Sequence, residues 1–322
     1  MKTRISPKTV VVYITKRCNS RCPRCLWLLQ DPDFFAKEEL NFKQIKSIIA
    51  YYHKKYRPHF MVQAEGEVLL HKDYTRVLKY LHTLHQNITL ITNGIVLDKF
   101  FGPISKYIGS VLISIDGYDL ETYQAIRGGN EQVFNRVVSN IKSLVSSGMC
   151  PVQTNTIIGT HNYTHITPMI RFLESIGVRK MNFGGYHAIG GEPLSIDYPG
   201  VKAYLKRVVS CTNYKGTITF RKLFINTASS TPCNMLFNTV LVGSQGHFTP
   251  CCHLAGKPEY GSFFDNPQAF NSGGIAELRT QFIEAKSGDD LPEICQNCPR
   301  RNSGISFVFS NGRWKGSGLR FL

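Results

Sequence analysis

The feature that most constrains this chain is an alternation across its first 185 residues, where short β-rich runs are separated by stretches of helical periodicity. Residues 10–15, 60–63, 88–91, 110–115, 152–158 and 181–183 read as six strands, apolar toward both faces as parallel strands covered by helices should be. Between them, apolar positions recur at helical spacing. Phe42, Ile45, Ile48, Ile49 and Tyr52 share one face behind Asn41, a suitable N-cap. Val77, Leu78, Leu81 and Leu84 form a second face. Val133, Phe134, Val137, Val138, Ile141, Leu144 and Val145 form a third, which Gly148 should close at C′. Ile166, Met169, Ile170, Leu173 and Ile176 form a fourth, with Pro168 in its first turn and Gly177 as its stop. Six strand–helix repeats predict an α/β fold of parallel βα units, either a partial (β/α)6 TIM-like barrel or an open doubly wound sheet. In both, functional side chains gather at the C-terminal ends of the strands.

After about residue 210 the alternation stops, and short β runs at 218–220 and 239–242 mix with Gly, Pro and Cys. The chain therefore reads as a barrel over residues 1–208 and a small β-rich domain over 209–322. A length of 322 residues, near the size at which cores divide, agrees with two domains. Hydrophobic content of 42% and charged content of 19% are those of a chain that folds throughout. No apolar run approaches the roughly 20 residues a bilayer-spanning helix needs. Residues 1–9 are basic but lack a signal-peptide core. The reading is a cytoplasmic protein with no membrane partner.

Ten cysteines without a secretion signal point to metal or redox chemistry rather than a disulfide framework. Cys18, Cys22 and Cys25 follow directly on the first strand. Three thiolates can hold three irons of a 4Fe–4S cluster and leave the fourth open, whereas a structural or electron-carrying cluster usually has four Cys ligands. The alternative is a zinc knuckle with a fourth ligand elsewhere. Cys233, Cys251, Cys295 and Cys298 form a C-x₁₇-C…C-x₂-C set, with Gly246 opening a G-x₄-C element. By ligand softness this set suits zinc and a 4Fe–4S cluster equally. Cys252 is an alternative ligand or a hydrogen-atom donor. Cys150 and Cys211 lie in apolar helix-end contexts and read as small buried hydrophobes. The histidines, among them His161, show no metal spacing. His187 and Asp197 are candidates for a substrate pocket near the end of the sixth strand.

With C-x₃-C-x₂-C at this place, the sequence resembles the radical S-adenosylmethionine (SAM) superfamily over roughly residues 8–205. The segment 63–71 is similar to the family's Gly-Gly-Glu-Pro element, with Glu65 in place of the first Gly, Val68 in place of Pro, and Gly66 and Glu67 retained. The resemblance implies that this segment contacts the SAM amino group. It further implies that Asn93 (in Thr92-Asn93-Gly94), Ser114 and Asp116 lie around the nucleoside, and that Arg127 pairs with the SAM carboxylate, which guanidinium geometry suits. Where the family has an aromatic before its last Cys this chain has Arg24, leaving Trp27 or Tyr13 to supply the contact. The implied chemistry is reductive cleavage of SAM, bound through the open iron, to a 5′-deoxyadenosyl radical that abstracts a substrate hydrogen atom.

The second cysteine set resembles the twitch form of the SPASM extension behind such barrels, with one auxiliary 4Fe–4S cluster. It resembles the amino-cyclitol dehydrogenases of aminoglycoside biosynthesis. The resemblance implies an oxidoreductase with two 4Fe–4S clusters and SAM, which dehydrogenates a small alcohol or sugar-like substrate. A maturase or epimerase of a ribosomally made peptide is the rival, disfavoured because the first strand begins by about residue 9 and no peptide-recognition segment precedes it. A zinc-stabilised nucleic-acid-binding module is the rival of another class. The formal charge of +16 would serve it, but Lys and Arg are spread along the chain rather than gathered in a stripe. The basic surface equally suits an acidic electron donor such as flavodoxin or ferredoxin.

Overall fold

The computed structural model describes residues 4–30, 34–35, 38–159, 162–185, 207–208, 214–221, 233–252, 254, 257–296, 306–310 and 313–316. His161, His187, Asp197, Cys211 and Cys298 lie outside these residues. Six parallel strands appear where the periodicity places them: β1 (Thr9–Tyr13), β2 (His59–Gln63), β3 (Thr89–Thr92), β4 (Ser110–Ser114), β5 (Val152–Ile158) and β6 (Lys180–Gly185). β1 pairs with β2, and β3 to β6 pair in sequence order, all parallel. Returning helices α2 (Phe42–Tyr56), α3 (Tyr74–Thr83), α4 (Phe101–Tyr107), α5 (Leu120–Arg127), α6 (Glu131–Ser147) and α7 (Ile166–Ser175) connect them, while α1 (Leu26–Gln30) follows Cys25. The result is the partial TIM-like barrel.

Local chemistry sets the helix boundaries. The Asn41 side chain accepts from Gln44 N (3.0 Å) while the Gln44 side chain accepts from Asn41 N (2.9 Å), a reciprocal capping box. Gly148 ends α6 in the left-handed region, φ 61°, where a side chain would be strained. The expectation of strands apolar on both faces holds only for β1. Along β2, β4 and β5, buried Phe60, Val62, Val111, Ile113 and Ile158 alternate with half-exposed Met61, Gln63, Leu112, Ser114 and Asn155. Helices cover the outer face alone, and the inner face borders an interior that an incomplete barrel leaves open.

Residues beyond 208 continue the same sheets. β7 (Thr217–Arg221) pairs parallel with β6, and β8 (Thr239–Val242) pairs parallel with β1. A short β9 (Phe248–Thr249) turns back on β8, while β10 (Ser306–Ser310) lies antiparallel to β7 and pairs with β11 (Arg313–Gly316). Both sides of residue 208 thus contribute to both sheets, and the C-terminal end of β8 opens on the same mouth as that of β1.

The later segment also docks on the barrel's outside. Tyr52 donates to Pro267 O (3.0 Å) and Tyr56 to the Gln268 side chain (3.0 Å), and Phe263 and Phe270 pack on Tyr52. Behind them Arg279, 1% exposed, donates to Leu236 O (2.9 Å) and Phe270 O (2.8 Å), joining α8 (Asn234–Asn238) and α9 (Gly273–Glu284) to the segment under α2. Burial pulls this guanidinium down to about 10. Among the described residues no helix is long and apolar enough to cross a membrane. Arg279→Leu strands those buried carbonyls and should lower unfolding free energy by about 2–4 kcal/mol in denaturant titration. A loss under roughly 0.5 kcal/mol would show that the carbonyls find other partners.

Candidate active site

The Cys18–Cys25 loop leaves the end of β1 and is held at several points. Cys25 N donates to Cys22 O and Leu29 N to Cys25 O, both at 3.0 Å, so the third thiol stands at the start of α1. The Asn93 amide donates to Asn19 Oδ1 (2.8 Å), tying the loop to the turn after β3. Ser20 donates to Arg127 O (3.1 Å) and lies 3.2 Å from Cys22 Sγ. Cys18, Cys22 and Cys25 line one cavity together with Glu65, Ser114 and Arg127. Burial, with Glu67, Cys22 and Cys25 nearby, pushes the Cys18 thiol up to about 11, and burial raises Cys25 too.

Seating of the next turn depends on a missing side chain. Glu67 N donates to Arg17 O (2.7 Å) and Gly66 N to Thr15 O (3.3 Å), so close that a Cβ on Gly66 would lie 2.0 Å from Arg17 O. The Glu67 carboxylate, 3% exposed, accepts from Leu69 N (3.2 Å), the Thr92 hydroxyl (2.8 Å) and Asn93 N (2.7 Å). Burial raises its pKa against these hydrogen bonds. Glu67 therefore ties the ends of β2 and β3 together while still lining the cavity.

Arg127 is the last residue of α5, whose start is fixed by the Asp119–Thr122 capping box and whose end is Gly128, φ 65°. Its Nε donates to Asp116 Oδ2, and Asp116 Oδ1 accepts from Ile157 N (2.5 Å). Burial works against the Arg127 charge and Asp116 and Cys22 work for it, with a net upward direction. Asp116 has no exposed side-chain surface and does not line the cavity. It orients Arg127 instead, leaving the terminal guanidinium nitrogens for the cavity. Ser114, two residues earlier, does line it.

The donor set fits a cluster with an open iron, since three thiols share one cavity beside an oriented guanidinium. Among the described residues no three His, Cys, Asp or Glu side chains converge around a single ion. Residues 12–173 match the family model of the radical SAM superfamily.

The chain belongs to the radical SAM superfamily.

Membership carries with it a SAM-binding 4Fe–4S cluster and SAM. Among curated relatives, a probable GTP 3′,8-cyclase of Archaeoglobus fulgidus is 28% identical over 74% of this chain and 84% of its own length. Another of Saccharolobus islandicus is 22% identical over 61% and 64%, and one of Methanococcus aeolicus is 26% identical over 53% and 57%. Among solved structures, the AdoMet-bound anSMEcpe superposes at TM-score 0.66, with 15% identity over 91% of this chain and 85% of that one. Streptococcus suis SuiB bound to S-adenosylmethionine gives 0.64, with 15% identity over 90% and 77%. These structural likenesses establish the fold. The relatives' name differs from the expected amino-cyclitol dehydrogenase, and no comparison supports that finer resemblance.

The other sequence-derived residues of this radical SAM chain divide clearly. Trp27 lines the cavity, and Tyr13 meets it edge-on with ring centroids 6.4 Å apart. Phe35, which no spacing in the sequence singles out, lines it too. Cys251 and Cys295 both lie near Tyr260, whose phenol is raised by burial, Glu259 and these two thiols. Cys233 stands at the N-cap of α8. Cys252 packs against the small cluster of Val11, Tyr13 and Leu241.

Glu65, at the departure from the Gly-Gly pattern, reaches across the end of β1 to the turn after β8. Its Oε2 accepts from Ser244 N (3.3 Å) and from the Ser244 hydroxyl, both groups being buried. Ser244 lies seven residues before Cys251, so this contact links the cavity to the second cysteine set. A double-mutant cycle of Glu65→Gln and Ser244→Ala should return a coupling of about 1–3 kcal/mol in denaturant unfolding. Additive effects would mean that the two groups do not act together.

Proposed function

We propose that this radical SAM protein oxidises a polar small molecule, with a second iron–sulfur cluster as electron acceptor. The reading rests on one observation above all: Cys18, Cys22, Cys25 and the Asp116-held Arg127 share one cavity, at the mouth into which the turn leading to Cys251 also opens. When bound, the cluster and SAM supply a 5′-deoxyadenosyl radical able to take a hydrogen atom from an unactivated C–H bond.

Cys18, Cys22 and Cys25 hold the first cluster. Arg127 pairs with the SAM carboxylate in the orientation Asp116 imposes. The Gly66 backbone, Glu67 and Asn93 line the amino-acid end, Ser114 the nucleoside end, and Trp27 and Phe35 wall the cavity against solvent. Cys233, Cys251, Cys295 and Cys298 hold the second cluster in the twitch-type segment 209–322. Four ligands leave no open iron for a substrate, which suits electron transfer. With both groups bound, the substrate would lose one hydrogen atom to the radical, one electron to the second cluster and one proton to a base, a net two-electron oxidation. An acidic electron donor would dock on the basic surface.

A second reading, GTP cyclisation, is favoured by the relatives' name and by the 84% coverage of the first of them. A triphosphate calls for several basic groups. Arg221, at the C-terminal end of β7 on the face that Thr219 shares, is one such group among the described residues.

Anaerobically reconstituted protein should carry about eight irons, the content of two 4Fe–4S clusters. A Cys18/Cys22/Cys25→Ala variant should release no 5′-deoxyadenosine, and release at the wild-type rate would sink the assignment. Arg127→Lys should weaken SAM binding by roughly 2–5 kcal/mol, because a point charge does not replace the guanidinium fork. Cys295/Cys298→Ala should keep SAM cleavage and lose the oxidised product. Stimulation of 5′-deoxyadenosine release by GTP would select the cyclase reading instead.

A further inference from the structure

The family model matches residues 12–173, yet a residue well beyond that stretch touches a carboxylate of the cysteine cavity. Val62, Val12 and Val242 are register partners on β2, β1 and β8. Glu65 lies three residues past Val62 and Ser244 two past Val242, so the parallel pairing brings both to nearly one level at the strand ends. A tight turn holds Ser244 there. Gly246 N donates to Gly243 O and Gly243 N to His247 O, both at 2.8 Å. Gly246 takes φ 84°, and a Cβ on it would lie 2.3 Å from the Phe264 ring, so the turn calls for glycine at this position. This is the glycine of the G-x₄-C element, which fixes Ser244 as well as leading to Cys251.

Two carboxylates line the cavity, and they are engaged to different degrees. Glu67 is fully committed, its Oε1 accepting from Leu69 N and the Thr92 hydroxyl and its Oε2 from Asn93 N. Glu65 is committed on one side only. Its Oε2 accepts from Ser244 N and the Ser244 hydroxyl, and among the described residues no donor reaches Oε1. Ser244, 2% exposed, thus holds one oxygen and leaves the other for the cavity that Glu65 lines. Burial opposes the Glu65 charge, whereas Ser244 and Lys16, itself paired with Glu38 (2.7 Å), support it. The same cavity holds Arg127, whose orientation Asp116 sets. A fixed guanidinium and a half-engaged carboxylate in one cavity match the two polar ends of an α-amino acid.

We propose that Ser244 is a positioning residue of the SAM site, holding Glu65 so that Oε1 accepts a hydrogen bond from the amino group of SAM while Arg127 takes the carboxylate. This rests on membership of the superfamily and not on the oxidation proposed above. Position 65 is where the sequence departs from the Gly-Gly-Glu-Pro pattern, and a glycine there has no side chain to offer. The departure adds an acceptor next to the Gly66 backbone. Hydrogen bonds to a charged group are worth more than those between neutral groups, and a side chain ordered before binding loses less freedom on binding. Ser244 supplies that order from the turn after β8, so the segment that carries the second cysteine set also shapes the cavity of the first.

The test measures SAM binding to the anaerobically reconstituted enzyme by equilibrium dialysis, with iron content and melting temperature recorded for every variant. Ser244→Ala should weaken SAM binding about five- to tenfold at wild-type iron content. Glu65→Gln keeps an acceptor for Ser244 but turns an amide N–H toward the amino group, and should weaken binding at least as much. The double variant should bind no more weakly than Glu65→Gln alone, because Ser244 acts only through Glu65. A lowered melting temperature in Ser244→Ala with wild-type SAM affinity would make the contact purely structural and overturn the proposal. Additive losses in the double variant would overturn it as well, since Ser244 would then reach SAM by another route. If Ser244→Ala does not fold, Glu65→Gln decides alone, and unchanged affinity rejects the proposal. Arg127→Lys, measured alongside, shows that the assay reads the SAM site and keeps a failure of the Arg127 pairing separate from a failure of this one.

Discussion

Everything at the mouth of this barrel depends on how closely three neighbouring strand ends approach one another. β1 lies between β2 and β8, both parallel to it, so the turns after all three open side by side. The Glu65–Glu67 turn then lies directly on the Lys16–Arg17 backbone, a contact that the absence of a side chain at Gly66 permits. From that seat Glu67 points to the turn after β3 and Glu65 to the turn after β8. Two acidic side chains on either side of one glycine thus brace four strand ends, and the cysteine loop hangs from the middle of that brace.

Such bracing is costly, and its cost indicates where the site is. Glu65 and Glu67 are nearly fully buried, and burial opposes each carboxylate charge. Backbone N–H groups, hydroxyls and the Arg127 guanidinium offset it. The thiols are treated the opposite way. Burial pushes the Cys18 thiol up to about 11, so binding of iron through this sulfur releases a proton. Carboxylates are stabilised before any cofactor arrives, whereas the cysteines gain their charge partner only with the metal.

Much of the barrel was legible because its signals are local. Periodicity, the Asn41 cap and the Gly148 stop each act within a few residues, and the six strands and their helices follow. The cysteine triplet was legible for the same reason, since spacing after a strand is a property of sequence alone. What could not be read are relations between distant segments. Thr217–Arg221 and Thr239–Val242 are short runs of five and four residues, and nothing in them says that they flank β6 and β1. Asp116 suggested a nucleoside contact because its neighbours match a family segment, but its partner is Arg127, eleven residues on and across a capping box. Glu65 was visible only as a departure from a pattern. Its reason, Ser244, lies 179 residues away.

Comparing Glu65 with Asn182 shows two ways in which this barrel keeps a polar group buried. Both are more than nine-tenths buried, and both border the interior of the barrel. Glu65 has found its partner within the chain, so replacing it should cost stability first and activity second. Asn182 keeps a side-chain carbonyl without a partner while its amide donates to Thr154 O, so replacing it costs that one hydrogen bond. A satisfied buried group is explained by the fold that satisfies it. The Asn182 side-chain carbonyl has no such partner, and it lies on the strand face that begins beside the cysteines at Ser114.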